Sequence, residues 1–267
     1  MMASKSQRAR ALQLLPLACL VAAAVAGATI AGGAPDRLDP RLAWRAPSMD
    51  RLLGSGEAGV DLLALVAHAV LRGIGLASVV ALVGFVIGTP LGAVAAFVRG
   101  RTERAVGRAC DLVQAFPSFL LALAVLSAVR TPTRVHLAFV FAITAWAPFT
   151  RLALAETRVL RGSAFVDAAI ALGLERRKVV LRHIVPNLLG VVAVQLGSTA
   201  ASIVVSEAAL AFVGFGPRDG VSLGNVLDQG VSSMLRAPHV LVVGAVAVFV
   251  TSAAMMVAGN ALAGSRR

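Results

Sequence analysis

Across 267 residues the chain is 58% hydrophobic and 14% charged, with a mean hydropathy of +0.85, which excludes an ordinary soluble globular domain. A net charge of +12 could suit a nucleic-acid binder, but the basic residues are distributed between apolar runs in the manner of membrane topology. Cys19 lies in an apolar run and Cys110 at the inner end of another, so neither points to a disulfide or a metal site.

Six largely apolar runs, at roughly 12–32, 73–98, 112–129, 135–155, 188–214 and 240–263, are each long enough to cross a hydrocarbon core of about 30 Å as a helix. Lipid offers no partner to backbone N–H and C=O groups, so each run is expected to be helical and the chain an all-α integral membrane protein. The first run follows a basic start and ends in AGATIAGGA; it exceeds a signal-peptide core in length and is expected to be an uncleaved anchor. With the N-terminus inside, most basic residues, among them Arg99, Arg101, Arg104, Arg108, Arg158, Arg161, Arg176, Arg177, Lys178 and Arg182, fall on inner segments. Both termini are therefore expected in the cytosol.

Between the first two runs, residues 34–71 read as a long outer loop, with a short helix from Val60 onward leading into the second span. The division expected is 1–72 for the tail, first helix and outer loop, and 73–267 for the core. Gly84, Gly88 and Gly92 in the second run form a row of small residues suited to close helix packing, and Pro90 is expected to kink that helix.

The connection between the fourth and fifth runs, 156–187, holds six of the 25 basic and three of the 13 acidic residues. It reads as two short helical pieces broken at Gly173, which suits a left-handed turn. Phe165, Val166, Ala168, Ala169, Ile170 and Leu172 are expected to form one compact apolar surface, and Pro186 to open the next span. An apolar surface on the cytosolic side implies a docked partner, with Arg176, Arg177 and Lys178 either adding contacts or serving only topology. In the fifth run Gln195, Ser198, Thr199, Ser202 and Ser206 recur at helical spacing, followed by Glu207. Such a stripe either bonds neighbouring helices or forms one wall of a path for a hydrophilic substrate; Glu207 belongs to that path or to a wet outer vestibule.

No G-x-x-x-x-G-K-[ST] loop, H-E-x-x-H or G-x-S-x-G is present, and the four histidines are scattered, so nucleotide hydrolysis, metal catalysis and serine chemistry are not expected of this chain. A self-sufficient carrier or channel is a distant alternative. It calls for paired ionisable residues at mid-membrane and an internal repeat, whereas Arg151 and Glu207 are the in-span charges of note and no repeat is evident. A scaffold without a transport role is a further alternative.

The segment FVDAAIALGLERRKVVLRHIVPN resembles the EAA loop of ATP-binding-cassette importer permeases, through Asp167, Ala168, Ala169, Gly173 and Pro186. RHIVPN, the outer block GSGEAGVDLL, AFPSFLLAL at the third-span entry and SEAALAFVGFG at the fifth-span exit are similar to the dipeptide and oligopeptide branch, and the one-span N-terminus before the outer block resembles its C-type permease. The chain departs from that pattern in Asp167 for Glu, Val60 for Arg, Leu223 for Trp and a less charged tail. The resemblance implies a type I importer permease fold of six transmembrane helices with a cytosolic coupling helix, in a bacterial inner membrane. It implies coupling to ATPase through Phe165, Asp167, Ala168, Ala169, Gly173, Arg176, Arg177 and Pro186, and a path along Gln195, Ser198, Thr199, Ser202, Ser206 and Glu207. The partners it implies are a second homologous permease, one or two ATP-binding subunits carrying ATP and Mg, an extracytoplasmic substrate-binding protein and membrane lipid. No nucleic acid is involved, and this chain itself holds no cofactor. The cargo it implies is a di- or oligopeptide, with nickel, haem or another small chelate as the alternative.

Overall fold

Every apolar run of the sequence is helical in the computed structural model, which describes residues 2–30 and 38–263, the backbone alone for 2–12. In chain order the helices are α1 (Met2–Ile30), α2 (Leu62–Val98), α3 (Gly100–Ala115), α4 (Ser118–Ser127), α5 (Arg134–Leu160), α6 (Ala164–Ala171), α7 (Arg176–Val179), α8 (Val185–Phe212), α9 (Leu223–Ser232) and α10 (Pro238–Ala263). α1, α2, α5, α8 and α10 are long and apolar enough to cross a membrane unbroken, and α3 with α4, bent by 66°, brings the number to six where that pair counts as one broken span. The protein is thus all-α and multi-pass. The contributions expected of Lys5, Arg8, Arg10, Arg37, Arg266 and Arg267 to the charge bias lie outside the described residues and side chains.

Two expectations need correction. The short helix ahead of the second span is not separate: α2 runs for 37 residues from Leu62 through Pro90. Asp61 caps it, accepting from the Leu63 amide at 2.8 Å, and no proline lies between Leu62 and Gly73, so the amphipathic and apolar stretches fuse. The division expected between residues 72 and 73 falls inside this helix. The third span is not one rod, because Pro117 has no N–H to continue α3 and Phe116 before it is held extended (φ −95°, ψ 123°). Pro186 stands in the first turn of α8, as expected, and a π-turn over Val180–Ile184 joins that helix to α7 just before the proline, a place where helices bend.

In lipid, helices associate through close packing rather than hydrophobic burial. Gly84, Gly88 and Gly92 accordingly lie against the α5 backbone; a Cβ on Gly88 would stand 2.3 Å from the Trp146 carbonyl oxygen. Thr150 seals the contact by donating to the Gly88 carbonyl at 2.9 Å. α8 and α10 cross as tightly at Gly197 and Gly259, a pairing of two runs that neither run discloses alone. Around these crossings the core divides by depth: Leu76, Val80, Leu137, Phe141 and Ile203 in the middle, and Phe149, Val166, Val179, Ile184 and Leu188 towards one end.

At the opposite end the loop after α1 is a folded cap. Ser55 is fully buried, accepts from the Arg45 amide at 2.9 Å and donates to the Leu42 carbonyl. The Arg51 guanidinium donates to the Gly59 carbonyl at 2.5 Å, and Gln229 of α9 accepts from the Glu57 amide at 3.3 Å. Val60 packs with Leu62, Leu65, Val226 and Val240.

Candidate functional site

Two features stand apart from the packed core: a polar groove along α8 and a short helix at the far end of α5. The groove, about 290 Å³, opens where α3 stops. Val113, Gln114, Phe116 and Pro117 come from the break, and Thr144 and Pro148 from α5. The α8 wall is Gln195, Ser198, Thr199, Ser202 and Ser206, residues that helical geometry stacks on one side. Much of its polarity is satisfied locally: Gln195 donates to the Thr199 hydroxyl at 3.0 Å, Ser202 to the Thr199 carbonyl at 2.8 Å and Thr144 to the Phe141 carbonyl at 3.1 Å. These bonds stay within single helices instead of joining neighbours, so the groove is polar but carries no formal charge on its lining.

Glu207 is not part of that lining. One residue beyond Ser206 means a turn of about 100° around the helix axis, which points the carboxylate towards Gly73 of α2. It is buried, with Oε2 lacking a hydrogen-bond partner. It is thus set apart from the residues that line the groove. Gln114, Phe116 and Thr144 are groove residues that sequence reasoning passed over; their only signal was a polar side chain or a proline inside an apolar run.

α6 sits between the ends of α5 and α8. Two hydrogen bonds end it, Gly173 N–H to the Ile170 carbonyl at 2.9 Å and Leu174 N–H to the Ala169 carbonyl at 3.2 Å, and Gly173 takes φ +79°. This is the paired closure that a left-handed glycine permits. The single compact apolar surface expected here is split in two. Val166 and Ala169, three residues apart, face inward and belong to one buried cluster with Phe149, Ala153, Val179 and Ile184. Phe165, Ile170 and Leu172 remain 41%, 48% and 80% exposed. Asp167 and Ala168 share the exposed side, as do Arg176, Arg177 and Lys178, the last 3.3 Å from Glu175. So α6 has one face buried in the apolar cluster at the bases of α5 and α8 and another that is exposed.

Charged ties bind α3 to α5 nearby. Glu103 accepts from Arg158 at 2.5 Å and Arg161 at 3.4 Å, and Arg161 also donates to the Ala96 carbonyl at 2.6 Å. Asp111 pairs with Arg151 closer to the groove.

Residues 88–264 match the model of a family described as the binding-protein-dependent transport system inner membrane component. The chain belongs to this family. The match begins at Gly88 within α2 and takes in the groove, the broken span and α6. The permease is 31% identical over 219 residues to a glutathione transport system permease protein of Pectobacterium atrosepticum, covering 81% of this chain and 72% of that one. It is 31% identical over 253 residues to a putative peptide transport system permease protein of Brucella suis, covering 93% and 84%. An oligopeptide transport system permease protein of Haemophilus influenzae is 30% identical over 203 residues, covering 74% and 64%. The protein is thus a multi-pass inner-membrane permease of the ATP-binding-cassette importer type, with the type I permease fold.

In the permease the groove is the element whose geometry can be tested most directly. Ser198→Trp would fill much of a space of about 290 Å³ while leaving the α8–α10 glycine crossing untouched. We expect uptake to fall by about tenfold or more, a barrier rise of roughly 1.4 kcal/mol, at unchanged membrane levels. Initial uptake rates normalised to permease amount provide the measurement.

Proposed function

We propose that this permease, paired with a second homologous permease, forms the path by which an ATP-driven importer takes up di- and oligopeptides delivered by an extracytoplasmic substrate-binding protein. The observation that carries this reading is α6: an eight-residue helix with its inner face locked under α5 and α8 and its outer face apolar and uncovered. A surface of that kind, on the side where the basic residues gather, fits a cleft on a separate ATPase subunit. One or two such subunits carry the ATP and Mg; this chain holds no cofactor and performs no hydrolysis. Both of its termini lie in the cytosol.

Phe165, Ala168 and Leu172 supply the apolar contact, Asp167, Arg176 and Arg177 the polar rim, and Gly173 and Pro186 the backbone geometry. When the ATPase subunits close, α6 moves with them. Val166 and Ala169 transmit that displacement to Phe149 and Ala153 of α5 and, through the π-turn, to α8. The groove between these helices then changes the side on which it is open, by rigid-body motion of packed elements. Gln195, Ser198, Thr199, Ser202 and Ser206 offer amide and hydroxyl groups without charge, which suits a peptide backbone, and relatives are named for glutathione, peptide and oligopeptide transport.

The test is purification of the tagged chain in mild detergent with mass spectrometry of whatever accompanies it stoichiometrically. An ATPase, a second permease and a binding protein whose bound ligand is a peptide are expected. Recovery of the chain alone, or only with itself, would sink the coupling role of α6, and a binding protein loaded with a metal chelate would overturn the peptide assignment.

A further inference from the structure

Asp111 and Arg151 place two charges at a depth where lipid cannot hold them. α5 has 27 residues, about 40 Å at 1.5 Å per residue, against a hydrocarbon core of about 30 Å. Arg151 precedes the end of α5 at Leu160 by nine residues, about 13 Å, and so falls within the core. Yet the Arg151 and Asp111 side chains are 60% and 61% exposed even while paired. Charged groups at such depth face protein or a water-filled passage. The groove is the adjacent passage: Gln114 lies one turn from Asp111, Pro148 one turn from Arg151, and both line it. Attachment of α3 to α5 does not require this pair. Glu103, 13% exposed and held by two arginines, already ties the same helices, and Cys110 is fully buried beside it.

We propose that the Asp111–Arg151 pair sets the charge selectivity of the path, by presenting cancelling charges at its inner mouth so that cargo of either sign passes. This rests on the reading of the groove as a peptide path. In a narrow passage with low-dielectric walls an uncompensated charge attracts cargo of opposite sign and repels the other. Removal of one partner therefore biases transport by sign, and the sign depends on which partner is removed.

The test uses the whole importer in proteoliposomes and three peptides with identical free termini, Ala-Lys-Ala, Ala-Ala-Ala and Ala-Glu-Ala. Each variant is compared with wild type as the ratio of Ala-Lys-Ala to Ala-Glu-Ala initial rates, so the binding protein's own preference cancels. Arg151→Gln is expected to raise that ratio by about tenfold and Asp111→Asn to lower it by a similar factor. Arg151→Lys, and the exchange of Asp111→Arg with Arg151→Asp, should keep the wild-type ratio. If Arg151→Gln fails to assemble with the ATPase, Asp111→Asn decides alone, because its shift has the opposite sign. Equal loss of all three peptides in the single variants would make the pair only a helix tie and overturn the proposal. Uptake of none of the peptides by wild type would overturn the peptide reading itself, and the proposal with it.

Discussion

Gly173→Pro is expected to abolish transport while leaving the permease in the membrane. Proline fixes φ near −65°, whereas Gly173 stands at +79°, and the substitution also removes the N–H that closes α6 onto the Ile170 carbonyl. The exposed face of α6 would then leave its alignment, and the link from an ATPase to α5 and α8 would be lost. The rest of the fold has little reason to notice, since a Cβ at Gly173 meets nothing within 4 Å. Uptake should drop to background while the permease is still extracted from the membrane, because the strain, about 1–3 kcal/mol, is confined to the α6 turn outside the packed spans. Gly173→Asn is the control: asparagine visits the left-handed region and should transport nearly as well as wild type. Normal uptake by the proline variant would remove α6 from the coupling mechanism.

Gly88→Leu is expected to act the other way, on the fold before function. The Cβ alone would lie 2.3 Å from the Trp146 carbonyl oxygen and 2.9 Å from the Phe149 Cβ, and the α5 backbone cannot retreat without breaking the Thr150 bond to the Gly88 carbonyl. Overpacking in a filled core costs about 1–3 kcal/mol even for small insertions, and here the obstacle is backbone on a central helix pair. We expect little monodisperse permease in detergent and a lower midpoint in a thermal aggregation assay. Gly75, on the same helix, meets nothing within 4 Å. Gly75→Leu should therefore be neutral or mildly stabilising, by up to about 1 kcal/mol of helix propensity. Equal behaviour of the two variants would show that the glycine row is not a packing surface.

The contrast between these two glycines marks what was legible. Gly173 could be placed from local chemistry, because a helix that must end before a second one begins needs a residue tolerant of positive φ, and the chain offers one there. The glycine row was equally visible, since its spacing of four residues requires only α2 to be helical. Pro117 was visible too, but its consequence was not: a break in the third span follows from the missing N–H, while the groove it opens depends on α5 and α8 standing opposite. The split of the α6 surface was missed for the same reason. Seven apolar residues in an eight-residue helix say nothing of which side is covered until a buried cluster with Phe149 and Ile184 forms on one of them.

The sequence by itself determined the membrane class, the glycine row, the turn at Gly173 and the family pattern. Each depends on hydropathy or on backbone preferences that act within one turn or one span. Only the tertiary structure decided that Ser206 lines a groove and Glu207 does not, that Val166 is buried while Phe165 is bare, that Gly197 meets Gly259, and that Asp111 finds Arg151. Those are pairings between segments distant in sequence, such as Gly197 and Gly259, and they are set by how helices rotate and cross once packed. In lipid that rotation is governed by shape complementarity between small-residue surfaces, a property of two helices together that neither sequence run carries alone.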